Sequence, residues 1–187
     1  MVFVSILPDY PTKDTRTGFV DSDYKKDTVT VVGWLKDMPE EYRKDKTFEI
    51  KYGDLFTDEQ VSHYADLDSL GRFTIKIPVI NTTEFFCDWR LCYIRTLLEP
   101  GKTYFLLYDF KEGRRLFMGE DVRIQNELMK YPLEWSSIMI ETGDDFDVFF
   151  AKGDSIIKSQ HKKIDELCSH HPMLSTRYNI HSKDNAT

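Results

Sequence analysis

The chain has 187 residues, 41% hydrophobic, 30% charged and 14% aromatic, with a formal net charge of −7. That length suits one domain, or one domain with an appendage, and the composition excludes a chain too polar to bury a core. The acid excess argues against a phosphate-backbone binder, which needs a basic face, and no segment approaches the roughly 18 apolar residues of a spanning helix.

Residues 1–27 carry Pro8, Pro11 and Gly18 among many polar residues, and predict an extended lead-in. The apolar run Met1–Leu7 lacks the basic flank and cleavage site of a signal peptide. From Thr28 the hydrophobic period becomes two. Strands are expected at 28–35, at 47–52 with Phe48, Ile50 and Tyr52 on one face, and at 60–67 with Val61, Ala65 and Leu67 on one face. Ser69-Leu70-Gly71 then predicts a hairpin turn, because glycine takes positive φ without steric cost. Phe73, Ile75, Ile77 and Val79 point inward on the following strand. Residues 84–97 read as one long aromatic-rich strand. Pro100-Gly101 fits the centre of a type II turn, and strands at 103–110 and 115–118 flank a further turn at Lys111–Arg114. Seven short strands punctuated by turns predict an antiparallel β-sandwich, immunoglobulin- or transthyretin-like, over residues 28–119.

After Gly119 the period becomes helical. A short helix is expected over 121–130, closed by Pro132. Phe146, Phe149, Phe150, Gly153, Ile157, Gln160, Ile164, Leu167 and Cys168 form one stripe of a long helix. Asp144, Asp145 and Asp147 sit at its start, where the helix dipole favours anions, and His170, His171 and Pro172 end it. Ser175 is the expected N-cap of a last helix of about ten residues. Residues 120–187 therefore read as a helical connector, truncated from a longer protein because so short a helix needs a partner. The run Lys158, His161, Lys162, Lys163 is followed at once by Asp165 and Glu166, the pattern of a solvated helix face.

Four groups invite a chemical role. Cys87 and Cys92 lack the Cys-x-x-Cys spacing of redox dithiols. On one strand they would point to opposite faces about 16 Å apart, beyond the ~7 Å that a disulfide allows. With Cys168 they make three, an odd count that argues against a disulfide scaffold. His161 and His170 lack the i, i+4 spacing of helical metal pairs. Glu141, Asp144, Asp145 and Asp147 read as helix-start acids rather than an acid–base pair or a calcium loop. Trp34, Trp89 and Trp135 suggest a sugar-binding platform, but for Trp34 and Trp89 on strands core packing is the expectation. No catalytic, cofactor-binding or metal residue is expected.

The string Leu67-Asp68-Ser69-Leu70-Gly71-Arg72-Phe73-Thr74-Ile75-Lys76-Ile77-Pro78 resembles the D-x-x-G-x-F hairpin of small secreted β-sandwich modules. Leu98-Glu99-Pro100-Gly101-Lys102, Phe117-Met118-Gly119-Glu120, Asn126-Glu127-Leu128 and His171-Pro172-Met173-Leu174-Ser175 follow in order. The ordered set, over residues 28–180, is similar to the N-terminal region of extracytoplasmic thioredoxin-family thiol–disulfide oxidoreductases of certain anaerobic Gram-negative bacteria. The family's Cys-x-x-Cys and thioredoxin βαβ pattern are absent, so no catalytic residue carries over. The resemblance implies an exported, non-catalytic accessory domain that positions a neighbouring thioredoxin-like domain, dimerises, or holds a protein partner. The alternative is a module binding a carbohydrate or peptide across an aromatic face.

Overall fold

A computed structural model of the chain describes residues 16–19, 25–53, 59–132 and 145–186. The protein is mainly β with C-terminal helices, and its described residues divide into two compact units: a first that holds the strands and runs to Tyr131, and a second that holds Arg16–Gly18 and the residues from Pro132 on. In the first unit the strands are β1 (Asp27–Lys36), β2 (Thr47–Gly53), β3 (Gln60–Asp66), β4 (Arg72–Val79), β5 (Thr83–Trp89), β6 (Cys92–Leu98), β7 (Thr103–Asp109) and β8 (Arg114–Met118). They form two four-stranded sheets, ordered β4-β1-β7-β8 and β3-β2-β5-β6. All pairings are antiparallel except β1 with β7.

Alternation decides which side chains go inside. Val29, Val31 and Leu35 of β1, Ile75 and Ile77 of β4 and Leu106 of β7 enter one core from the first sheet. Phe48, Ile50, Phe85, Ile94 and Leu98 enter it from the second. The far end of the Phe73 ring lies over Gly33, its partner on β1, where a Cβ would sit 2.1 Å from the ring. The missing side chain lets Phe73 reach across and stack on Phe48 of the other sheet, with centroids 4.4 Å apart.

Among the described residues, eight strands replace the expected seven. The stretch 84–97 is not one strand but the β5–β6 hairpin, with Cys92 opposite Trp89 and Ile94 opposite Cys87. Its two-residue turn, Arg90-Leu91, contains no glycine, proline or asparagine. Arg90 itself takes φ +57°, held by Asp45 at 2.7 Å and lying over the Tyr42 ring.

The Asp68–Phe73 turn also differs from expectation. Asp68 Oδ1 accepts the backbone N–H groups of Leu70 and Arg72, and Gly71 takes φ +74°, so the turn chemistry is as read. Yet β3 and β4 belong to different sheets, so the turn is a crossing between sheets and not a hairpin. The Pro100-Gly101 turn likewise carries the chain from β6 in one sheet to β7 in the other.

The helix α1 (Arg123–Lys130) packs on β6 and β8, the edge strands on one side of the two sheets. Asn126 uses its side-chain amide as a peptide group would: Oδ1 accepts from Phe117 N–H and Nδ2 donates to Phe117 C=O, both at 2.8 Å. Gln125 Nε2 donates to Leu97 C=O at 3.3 Å. Edge groups that would otherwise stay open are thereby closed.

In the second unit α2 (Phe146–His170) begins at Asp145, whose side chain accepts from Val148 N–H, and α3 (Thr176–Asp184) begins at Ser175, which accepts from Tyr178 N–H. Both N-caps lie where the side-chain chemistry places them. Among the described residues, no helix is long and apolar enough to cross a membrane.

Candidate binding face

Face selection within the second sheet sets the candidate site. While Phe48, Phe85, Cys87 and Ile94 point to the core, the alternate residues of the same strands point outward. The strand register aligns them in rows. Ser62 lies opposite Lys51, Lys51 opposite Phe86, and Phe86 opposite Arg95, which makes one row across all four strands. In the neighbouring row Tyr64 lies opposite Glu49 and Asp88 opposite Tyr93.

Three aromatic side chains therefore share this outer face. Tyr64 is 64% exposed and Tyr93 46% exposed, on the two outermost strands. Three strand spacings separate them, roughly 14 Å. Phe86 lies edge-on to Tyr93, with centroids 5.5 Å apart.

The polar groups between them hold one another. Glu49 Oε1 accepts from Ser62 Oγ at 2.8 Å and from the Tyr64 hydroxyl at 3.1 Å, with Lys51 Nζ 3.8 Å away. The Ser62 bond outweighs the opposing effect of burial, and Tyr64 and Lys51 add to it, so the Glu49 carboxyl is held below its usual range. Arg95 donates from one nitrogen to both oxygens of Glu84, at 3.1 and 2.9 Å. A carboxylate held ionised cannot serve as a general acid at neutral pH, and proton transfer needs a group poised near it. The arrangement suits binding: amphipathic rings offer apolar area with polar rims, on a surface already ordered by its own hydrogen bonds.

The sequence-level candidates fall elsewhere. Cys87 and Cys92 are free thiols, yet the expectation of opposite faces is overturned. Both point into the core from adjacent strands, and Cys87 Sγ donates to Cys92 C=O at 3.6 Å. The hairpin turn between them is the reason. Burial first, and then the neighbouring Cys87 thiol, push the Cys92 thiol well up, which disfavours a thiolate at Cys92. Trp89 is in the core, as expected, edge-on to Phe48. Trp34 is not: it is half-buried on the outer side of β1 and donates through Nε1 to Leu70 C=O at 3.1 Å. Trp135, Glu141 and Asp144 lie outside the described residues. His170 Nδ1 lies 2.7 Å from Glu166 C=O at the end of α2, the ordinary place for a helix-end histidine. His161 Nε2 lies 3.2 Å from Lys183 C=O. Among the described residues, no group of three or more metal-ligating side chains converges.

Tyr64, Phe86 and Tyr93 were not singled out from the sequence. The signal was present in the alternation, but it becomes a face only once β2 is known to pair with both β3 and β5.

Comparison with known protein families, with curated proteins and with solved structures finds no match to this chain.

Proposed function

We propose that this chain is a non-catalytic interaction module whose working surface is the outer face of the β3-β2-β5-β6 sheet. The observation that carries this reading is the pair of exposed tyrosines, Tyr64 and Tyr93, at either side of a self-satisfied polar strip. Exposed tyrosine is enriched where proteins meet partners, because its ring supplies area at small entropic cost.

The partner class in this proposal is a thioredoxin-like thiol–disulfide oxidoreductase, beside which the chain acts as an accessory domain in an extracytoplasmic compartment. Its support is the ordered set of motifs from Asp68 to Ser175, together with the burial of Cys87 and Cys92, which suits a domain that leaves redox chemistry to another. A transthyretin-like sandwich belongs to the same proposal. The two four-stranded sheets, with one parallel pairing between β1 and β7, support it.

A photo-crosslinking residue at Tyr93, compared with one at exposed Lys76 on β4, tests the reading in the host cell. A thioredoxin-fold protein captured from position 93 and not from position 76 supports it. Equal capture from both positions, or none from 93, refutes it.

The same tyrosines favour a second reading, a carbohydrate laid across the face. Sugars stack on aromatic rings and exchange hydrogen bonds with carboxylates and hydroxyls such as those of Glu49 and Ser62. Retarded migration in polysaccharide-containing gels, abolished by Tyr64→Ala with Tyr93→Ala, would favour it over a protein partner.

A further inference from the structure

The helix α2 carries the same surface twice. Its C-terminal part presents Ile164, Asp165 and Cys168, and α3 lies there: Lys183 Nζ reaches Asp165 Oδ1 at 2.6 Å, and Asn179 Nδ2 reaches Cys168 Sγ at 3.4 Å. The Lys183 bond, the largest influence on it, holds the Asp165 carboxyl below its usual range. Ile164 is buried, at 1% exposure. Eighteen residues are five complete turns of an α-helix, so positions that far apart have the same angular place. Eighteen residues before Ile164, Asp165 and Cys168 stand Phe146, Asp147 and Phe150. This earlier trio repeats the pattern of two apolar or small groups and an aspartate, and it is open: Phe146 is 75% exposed and Phe150 53%. The two rings contact each other, with centroids 4.6 Å apart. α3, with its nine residues, is about 13 Å long against about 37 Å for α2, so it spans only one end.

We infer that the N-terminal end of α2 is a second helix-docking site, whose occupant is an amphipathic basic helix from a partner protein. The occupant places an apolar stripe on Phe146 and Phe150 and a lysine or arginine on Asp147, as α3 places Lys183 on Asp165. Charge selects this occupant. Asp147 and Asp154 are both exposed and flank the Phe146–Phe150–Ile157 stripe on one side. A second copy of α2 laid antiparallel and centred on the exposed Phe150 would bring Asp147 against Asp154, and like charges facing across a helix pair are destabilising. The same acids repel an anionic membrane surface. The site belongs to the second unit and shares no residue with the tyrosine face of the first, so it stands or falls independently of that reading.

The probes are two labelled synthetic helices with leucine at the a and d positions, one flanked by lysine and one by glutamate. Each is titrated into the full chain by fluorescence anisotropy at low salt. The lysine helix should bind at least tenfold more tightly than the glutamate helix. Phe146→Ser with Phe150→Ser should weaken it at least tenfold. Asp147→Lys with Asp154→Lys should remove or invert the preference. Both pairs are exposed, and far-ultraviolet circular dichroism melts verify that each variant folds. Equal affinity for the two probes, no binding of the lysine helix, or indifference to the phenylalanine changes overturns the inference. So does a dimer in sedimentation analysis, or adhesion to phosphatidylglycerol vesicles, that the serine variant abolishes: the occupant is then a second copy or a membrane.

Discussion

Two clusters of the first unit pair a glutamate with a tyrosine hydroxyl, and they do opposite things. On the α1 side, Glu99 and Tyr104 are buried, at 2% and 0% exposure. Glu99 Oε2 accepts from the Tyr104 hydroxyl at 3.3 Å and from Gln125 Nε2 at 3.4 Å, and the same hydroxyl accepts from Glu99 N–H. On the outer face of the second sheet, Glu49 accepts from Ser62 and from Tyr64 in the open. A buried polar group that loses its partner bears the full cost of desolvation, whereas an exposed one turns to water. The first cluster is therefore a fastener between sheets and helix. The second is an ordered surface that can exchange its partners for those of a ligand.

The buried side should break hardest. Asn126→Leu removes both bonds to Phe117 and leaves the Phe117 N–H and C=O without those partners beside α1. The expected loss is about 4 kcal/mol, since each orphaned buried group costs about 1–3 kcal/mol and three bonds of this amide are lost, one of them to Val122 C=O. Urea denaturation measures it. A loss below about 1 kcal/mol would mean that water enters and replaces the amide, and that the side is not closed as described.

Backbone turns give the next contrast. Gly71→Ala places a Cβ 2.7 Å from Leu35 C=O at φ +74°, while Gly113→Ala, at φ +62°, meets nothing within 4 Å. The first should cost about 2 kcal/mol and the second about 1 kcal/mol, because both pay for the left-handed backbone but only one also clashes. Equal costs would show that the β3–β4 crossing is not tied to the end of β1 as tightly as Leu35 N–H to Gly71 C=O at 2.8 Å implies.

A third ion site separates burial from exposure by pH. Burial alone would raise the Asp109 carboxyl, but the bond from Lys36 and the N–H groups of Glu112 and Lys111 outweigh it and hold the group low. A carboxyl lowered in the folded state stabilises above its unfolded pKa of about 3.9, and that contribution is lost as pH falls through the folded value. Lys36 is raised, chiefly by its bond to Asp109, so its share persists through neutrality and is lost only in strong alkali. Asp109→Asn keeps an oxygen for the two backbone N–H groups but loses the charge pairing. It should cost about 1.5 kcal/mol at pH 7, and the gap to the parent should close toward pH 2. A gap that does not narrow in acid would show that the carboxylate's charge is not what matters.

Much of this was legible in the chain, and the failures share a cause. Alternation placed Phe48, Ile75 and Ile77 correctly, because one buried face forces period two. Ser175 was readable as a cap, and Asp145 as one of the acids at a helix start, because their hydrogen bonds are local. Pairing is not local. Asp68 and Gly71 specify a turn, but nothing in them says that β4 will leave β3 and pair with β1. The Arg90 turn carries no turn residue at all, because its left-handed backbone is held from a distance by Asp45 and Tyr42. That one turn hid the β5–β6 hairpin, reversed the relation of Cys87 to Cys92, and put Phe86 and Tyr93 side by side. The aromatic face was therefore invisible for the same reason that the strand count was one short.

The open face should break most gently, and this is the sharpest form of the contrast with Glu99 and Tyr104. Tyr64→Ala leaves Glu49 with Ser62 and with water, and Tyr93→Ala uncovers only the edge of Phe86. Each should change the unfolding free energy by about 0.5 kcal/mol or less, the ordinary scale for exposed substitutions. Tyr104→Phe deletes only an oxygen, yet it strips partners from the Glu99 N–H, the Glu99 carboxylate and Gln125, and should cost roughly 2 kcal/mol. Paired denaturation curves for the three variants decide it. If removing a whole exposed ring costs as much as removing one buried hydroxyl, then Tyr64 and Tyr93 are spent on holding the sheet together. The outer face then has no surface to spare for a partner.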